Sequence, residues 1–472
     1  MDSRDIGIIG LGVMGRNIAL NFSRHGFSVA VFNPGAPGEG DLLADFLKSH
    51  GCDAIAGERH LDDFIAQLRK PRVMLLMVKA GAPVDDVILS LAQRLDPGDI
   101  IIDGGNSHYR DTERRMANLE KAGILYVGCG VSGGGEGALR GPSLMPGGSP
   151  EAWKTIGPLL QSVAAKLEDG TPCCEWTGRG GAGHFVKMVH NGIEYAMMQA
   201  IAEAYDMMRR MAAMGADEMA VAFGNWNAGC LGGYLMGIVP RILKQRDKGA
   251  LLLDAILDRA SQKGTGKESS MAALDMGVPA QAMDEAVAAR LISSLLEERR
   301  RAAELYLDNA EFSGDREALI HDIEDALYCA IAVSHCQGFA LLDRASEDFK
   351  WDLDRSAIAR LWRGGCIIQS ALMNEIGKII SNRSWTGNLL LEEQFGVLIR
   401  EKTAGWRRSV STAALHGIPV PVLSSTLAYF DSYRSARLPA NLVQAMRDFF
   451  GAHGYERIDA QEGRIFRTDW GK

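Results

Sequence analysis

Ile8-Ile9-Gly10-Leu11-Gly12-Val13-Met14-Gly15 decides the reading of the first third of the chain. An apolar run passes directly into G-x-G-x-x-G. The first glycine permits a tight turn, the second lets backbone approach a pyrophosphate, and the third lets helix and strand pack closely. The following helix then faces the phosphates with its free N–H groups and the positive end of its dipole. The bare motif is a weak signal. Here it lies between a strand and a helix at the start of the chain, with a second apolar strand, Ser28–Phe32, at the right distance. Gly10, Leu11, Gly12, Val13, Met14 and Gly15 therefore read as a dinucleotide-binding turn, with Asn33 at the end of the second strand beside it.

Working outward, short apolar segments recur at Ile6–Ile9, Ser28–Phe32, Val73–Val78, Ile100–Asp103 and Leu125–Gly128, separated by helical stretches. Continuously apolar strands suit burial on both faces. Their alternation with helices predicts a parallel, doubly wound α/β sheet. After about Gly178 strand signals become rare. Stretches rich in Ala, Leu, Met and Glu, such as Glu194–Met214 and Asp284–Asp308, read as a large all-helical domain. From about Ala436 the chain has mixed charge, Pro439 and several glycines, and reads as a tail with short helices. The expected organisation is a Rossmann-like domain over 1–178, an all-α domain over 179–435 and a tail over 436–472.

Composition agrees with a multi-core intracellular protein. There are 472 residues, 47% of them hydrophobic, more than one ordinary core holds. The net charge of −8 argues against nucleic-acid or membrane-surface partners. The eight cysteines form no C-x-x-C pair and sit mostly in apolar stretches, which points to a reducing compartment and no metal site. The N-terminus enters a strand at once, with no signal-peptide pattern. No run of consecutive apolar residues approaches the ~18 needed to span a membrane. A cytoplasmic protein is expected.

A second stretch carries chemistry. In Lys187-Met188-Val189-His190-Asn191-Gly192-Ile193-Glu194-Tyr195, the residues Lys187, His190, Asn191, Glu194 and Tyr195 stand at i, i+3, i+4, i+7 and i+8, one face of a helix. Val186, Met188, Val189, Ile193 and Met197 mark its buried sides. A solvated face favours interchangeable Lys and Glu rather than His, Asn and Tyr in the same stripe. An acid and a base on one face beside a dinucleotide fold suit oxidation of an alcohol. Lys187 can accept the hydroxyl proton if burial or a neighbouring cation lowers its pKa, and Glu194 is the complementary acid.

The end of the second strand bears on the cofactor. An acidic residue there binds the ribose 2′-hydroxyl, and a nearby Arg favours a 2′-phosphate. The chain has Asn33-Pro34-Gly35-Ala36-Pro37-Gly38-Glu39, with no Asp and no basic residue until Lys48. A phosphate without a charge-assisted partner is poorly held. The expectation is a dehydrogenase using NADP or NAD, with NAD⁺ used at least as well as NADP⁺.

Along essentially its whole length the sequence resembles the 6-phosphogluconate dehydrogenases. The stretches that carry the resemblance include Met77-Val78-Lys79-Ala80-Gly81, Asp103-Gly104-Gly105-Asn106-Ser107, Val131-Ser132-Gly133-Gly134, Gly141-Pro142-Ser143-Leu144-Met145-Pro146-Gly147-Gly148, Lys187 to Tyr195, Gln262-Lys263-Gly264-Thr265-Gly266-Lys267, Trp362-Arg363-Gly364-Gly365-Cys366-Ile367-Ile368 and Tyr429-Phe430-Asp431-Ser432-Tyr433. The resemblance implies that Lys187 takes the proton of the sugar C3 hydroxyl as hydride leaves for the nicotinamide. The β-keto acid then loses CO₂, and Glu194 helps to protonate C1 of the enediol, giving ribulose 5-phosphate. It further implies that Asn106, Ser132, Gly133, Gly134, His190 and Asn191 hold the sugar acid. Tyr195, Lys263, Arg290, Arg447 and His453 would hold its phosphate, while Val78, Lys79, Ala80 and Asn106 join the cofactor site. By the same resemblance the tail reaches into the partner subunit of a homodimer.

The residues support a phosphate ligand independently. In a net-negative protein, a dianionic phosphate and a carboxylate must be bound by a few placed cations, and Arg with Lys suits that role. The Lys263 turn resembles a P-loop but fails its spacing, with Ser261 for Gly and Glu268 where Ser or Thr must bind metal. Four positions depart from the family pattern: Pro34 and Gly35 stand where the NADP-dependent relatives have Arg-Thr after Asn33, Gly135 stands in place of Glu and Glu268 in place of Trp. A dehydrogenase of a smaller β-hydroxy acid would share the fingerprint and the lysine without needing Lys263, Arg290 and Arg447. A non-catalytic dinucleotide sensor would have lost Lys187 or Glu194, and both are present.

Overall fold

The computed structural model describes residues 3–33, 41–261, 264–306, 311–381 and 385–471. They form two compact units, Met1–Thr426 and Leu427–Lys472.

The first unit opens with eight strands: β1 (Ile6–Ile9), β2 (Val29–Phe32), β3 (Ile55–Glu58), β4 (Val73–Leu76), β5 (Ile100–Asp103), β6 (Leu125–Ser132), β7 (Ser143–Gly148) and β8 (Gly178–Arg179). They lie in the order β3-β2-β1-β4-β5-β6-β7-β8. The apolar runs alternate between the two faces. Ile6, Ile8, Val29, Val31, Val73, Leu75, Ile100 and Ile102 pack on one side, and Ile9, Ala30, Met74, Leu76 and Ile101 on the other. Strands buried on both faces need helices on both faces, which is why this region reads as continuously apolar.

Two features differ from expectation. β3 went unread because Ile-Ala-Gly-Glu is short and includes glycine. β7 runs antiparallel to β6, pairing Val127 with Gly148 through Ser132 with Ser143, so the sheet is mixed rather than wholly parallel. Its Pro146, Gly147 and Gly148 hide it, since β-propensity scores such residues down.

Those glycines have a packing reason. The helix Ala182–Arg210 lies directly on β6 and β7. A Cβ on Gly183 would stand 2.2 Å from the Gly128 carbonyl oxygen and 2.4 Å from that of Met145; one on Gly130 would stand 2.3 Å from Lys187 Cβ. Residues on both sides of Gly178 consequently belong to one compact unit.

Among the described residues, the regular structure in the remainder of this unit is helical apart from a two-stranded hairpin, β9 (Arg246–Asp247) with β10 (Ala250–Leu251). The stretch from Asp284 is two helices, Gln281–Ser294 and Leu296–Leu305, broken at Leu295, where no Gly or Pro marks the sequence. Arg316–Phe349 is long and apolar enough to cross a membrane by length and composition. It is a core helix, with 94% of its most apolar window buried against neighbours that include Ala182–Arg210 and Glu393–Leu415. Counting consecutive apolar residues misses it because charged residues interrupt the run.

The second unit holds the helix Ala440–Gly451 and the chain end. Buried Asp448 accepts from the Gly454 and Thr468 amides (2.9 and 3.0 Å) and from Trp470 Nε1 (2.8 Å). The tail is therefore clasped on itself rather than frayed.

Gly183→Ala should destabilise the protein by about 1–3 kcal/mol, since the methyl meets backbone that cannot rotate away. Gly224→Ala, on a helix with nothing within 4 Å of the new methyl, should be neutral or stabilising by up to ~1 kcal/mol. Urea midpoints of the two variants against the parent check this.

Candidate active site

The chain reverses its order of winding between β1 and β4, the point at which doubly wound sheets bind ligands. Gly10 holds φ 99°, a conformation that favours glycine, and its amide donates to the Phe32 carbonyl (2.9 Å). A Cβ on Gly15 would stand 1.9 Å from the Gly10 carbonyl oxygen, so strand and helix could not approach with any other residue there. Above Gly12 there is open space, and the helix Val13–Arg24 begins without a side-chain cap, leaving its first N–H groups for a ligand. Val13 is exposed and Met14 half-buried over the same opening. This cradle fits a dinucleotide pyrophosphate. Asn33 Oδ1 accepts from the Leu11 amide (3.0 Å), so its role here is to hold the turn.

A cleft of about 660 Å³ continues from Met14 between the loop after β4, with Val78, Lys79 and Ala80, and the loop after β5, with Gly104, Gly105 and Asn106. Asp103, at the end of β5, is fully buried and organises the second loop. Its carboxylate accepts from the Gly105 amide (3.0 Å), Ser107 Oγ (2.6 Å) and Tyr126 OH (3.0 Å). His184 Nε2 lies 3.1 Å from the Asp103 carbonyl oxygen, with Nδ1 2.6 Å from Thr112 Oγ1. His184 thus ties the helix to the end of β5 and to the helix Tyr109–Glu120. Sequence inspection missed this network because each member looks ordinary alone.

The predicted stripe on the helix Ala182–Arg210 is buried, not solvated. Lys187, His190, Asn191 and Tyr195 are each under a tenth exposed, and the Glu194 side chain is 21% exposed. His190 is the hub. Its Nε2 lies 3.1 Å from Ser132 Oγ at the end of β6. Its Nδ1 lies 3.2 Å from Asn191 Oδ1, 3.4 Å from Lys187 Nζ and 3.7 Å from Glu194 Oε2. The Trp362 ring meets its edge at 6.0 Å between centroids, a contact drawn from the Trp362–Ile368 stretch. Gly133, at φ 107°, and Gly134 follow Ser132, and a Cβ on Gly133 would stand 2.6 Å from the Gly365 carbonyl oxygen.

Burial sets the electrostatics. It lowers the Lys187 ammonium from its ordinary value, against the opposing charge of Glu194. It holds His190 well below the usual imidazole range, with Lys187 adding to the effect. It raises the Glu194 carboxyl, against the pull of Lys187 and Arg290. One helix face therefore carries an amine biased toward neutrality and a carboxyl biased toward protonation.

Arg290, on the helix Gln281–Ser294, lies over the Tyr195 ring at 3.4 Å. Lys263 falls outside the described residues, as does the segment from Pro34 to Gly40. Arg447 and His453 belong to the second unit, where both are exposed; Arg447 donates to Gln444 Oε1 (3.1 Å). Gly135 accepts from Asn17 Nδ2 (2.7 Å), fastening the glycine segment to the first helix. Half-buried Glu268 has its carboxyl raised by burial and by the charge of Asp111.

A dinucleotide cradle beside a buried amine, imidazole and carboxyl defines a nicotinamide-dependent dehydrogenase, an oxidoreductase. Residues 5–178 match the family model for the NAD binding domain of 6-phosphogluconate dehydrogenase, and residues 183–470 match that for the 6-phosphogluconate dehydrogenase C-terminal domain. The chain belongs to the decarboxylating 6-phosphogluconate dehydrogenase family. It is 49% identical to the Schizosaccharomyces pombe enzyme of that name over 98% of this chain and 94% of that one. Identity to the Homo sapiens enzyme is 47%, over 100% of this chain and 97% of that one. A solved Plasmodium falciparum 6-phosphogluconate dehydrogenase, studied free, with its cofactor NADP⁺ and with its substrate 6-phosphogluconate, superposes with a TM-score of 0.94 at 38% identity, covering 99% of this chain and all of that one.

Asn33→Ala should leave the fully buried Leu11 amide without its acceptor, at a cost of about 1–3 kcal/mol. Calorimetric titration should show dinucleotide binding weakened about tenfold. Unchanged binding would mean that the turn holds itself.

Proposed function

We propose that the chain oxidises and decarboxylates 6-phospho-D-gluconate to D-ribulose 5-phosphate and CO₂ with reduction of a nicotinamide dinucleotide, as in the pentose phosphate pathway and gluconate utilisation. The observation that carries this is the buried Lys187–His190–Glu194 face set against a dinucleotide cleft. The nicotinamide, when bound, accepts the hydride from C3. Lys187, kept toward its neutral form by burial, takes the C3 hydroxyl proton. The β-keto acid so formed releases CO₂. Glu194, kept toward its protonated form, supplies the proton to C1 of the enediol. His190, Asn191, Ser132 and the following glycines, with Asn106, hold the sugar acid. Its phosphate takes Tyr195, Lys263 and Arg290, and Arg447 with His453 from a partner subunit in a homodimer. That arrangement makes the tail part of the partner's site.

NAD⁺ is used at least as well as NADP⁺. The support is the absence of any cation between Asn33 and Lys48 to hold a 2′-phosphate. The enzyme acts in the cytoplasm.

Absorbance at 340 nm with 6-phosphogluconate, run with both cofactors alongside CO₂ release, tests the reaction and the cofactor ratio together. No reduction with either cofactor overturns the substrate, and clear preference for NADP⁺ overturns the cofactor assignment. Lys187→Met should lower kcat about 10²- to 10⁴-fold. Because the base acts deprotonated, the parent's kcat/KM should rise with pH along a limb lying below 10.5, the ordinary lysine value. Removal of residues 436–472 should abolish activity while the first unit stays folded by circular dichroism; a fully active truncate would refute the role of the tail.

A further inference from the structure

The helix Tyr109–Glu120 carries three arginines. The side chains of Arg110 and Arg114 are 61% and 49% exposed, whereas that of Arg115 is 1% exposed. All five guanidinium N–H groups of Arg115 have acceptors. Nε and Nη2 donate to the two carboxylate oxygens of Asp85 (2.8 and 3.1 Å), and Nη2 also donates to the Gly81 carbonyl (3.0 Å). Nη1 donates to Ser107 Oγ (3.0 Å) and Asp103 Oδ2 (3.3 Å).

The placing of these acceptors matters. Gly81 directly follows Val78-Lys79-Ala80 on one wall of the dinucleotide cleft. Ser107 directly follows Asn106 on the other. One rigid planar group therefore joins the two facing loops. The same Asp103 that receives Nη1 offers its carbonyl to His184, one turn before Lys187. An ion pair that only steadied the sheet would need a partner on one loop. Arg115 reaches both loops and, through Asp103, the helix that bears the base. Lysine could replace it only in part, because an ammonium has three donors and no fork.

We propose that Arg115 is a positioning residue that sets the separation of the two cleft loops, and so the stance of the nicotinamide end of the cofactor relative to Lys187. This rests on the dehydrogenase reading above. A displacement of about 1 Å at a reacting centre costs on the order of 10²-fold in rate. A loosened clamp should therefore be read in turnover more than in folding.

The test compares Arg115→Met and Arg115→Lys with the parent, using melting temperature, kcat, KM for each substrate and the isotope effect with C3-deuterated 6-phosphogluconate. For Arg115→Met we expect kcat/KM for the dinucleotide to fall about 10- to 100-fold. The isotope effect on kcat should rise as hydride transfer becomes slower, and Arg115→Lys should recover part of the loss. A lowered melting temperature with parental kinetics and isotope effect would overturn the proposal and leave Arg115 a scaffold residue. If Arg115→Met does not fold, Asp85→Asn and Ser107→Ala each remove one arm. Both should raise KM for the dinucleotide several-fold, and parental values in both overturn the proposal. If the parent itself does not turn over 6-phosphogluconate, the functional reading fails instead. The clamp is then tested by dinucleotide affinity, which should weaken in Arg115→Met and would overturn the clamp if unchanged.

Discussion

The site depends on how closely the helix Ala182–Arg210 lies on β6 and β7. The contact is made through glycines: Gly183 over the Gly128 and Met145 carbonyls, Gly147 under the Gly183 amide, and Gly130 beneath Lys187 Cβ. These glycines put no side chain of their own between helix and sheet, so Lys187 and His190 start close to the surface of the sheet. Ser132, at the end of the same β6, comes within reach of the His190 ring as a result. A helix held farther off by ordinary side chains would carry the same residues without joining them to the cleft.

That closeness also explains the electrostatics. A stripe of Lys, His, Asn and Glu on an exposed helix would keep ordinary pKa values and exchange partners with water. Pressed against a sheet and covered by the helices Thr265–Asp275 and Arg316–Phe349, the same stripe loses its solvent. Desolvation moves an amine down and a carboxyl up, and both shifts favour the uncharged forms. The mutual charge of Lys187 and Glu194 opposes the shifts and limits them. Acid and base chemistry thereby share one helix face without collapsing into a simple ion pair.

Around this contact the polar groups are unusually well connected for their burial. Asp103 ends its strand inside the protein and takes hydrogen bonds from its own loop, from Tyr126 and from Arg115. A buried carboxylate is tolerated only when paired and fully bonded. Here the bonding partners are the loop that presents Asn106 and, through the Asp103 carbonyl, the helix that presents Lys187. Loop shape, cleft width and helix position are coupled through one residue.

Local patterns in the chain carried much of this. The glycine fingerprint, the five apolar strands and the helical period from Lys187 to Tyr195 are short-range signals, and each describes an element whose residues agree on one conformation. The breaks and reversals were not legible. β7 reads as a loop because its glycines serve packing rather than strand propensity, and Leu295 breaks a helix with no local marker. Arg115 looks like its exposed neighbours Arg110 and Arg114, since only the distant Gly81, Asp85, Asp103 and Ser107 distinguish it. By itself the sequence determined which residue types share a face and which turn can take a phosphate, because those follow from neighbours a few residues apart. The tertiary structure alone decided that the polar face is buried, which of its members touch, and which arginine is held between two loops, because burial and contact depend on segments brought together from far along the chain.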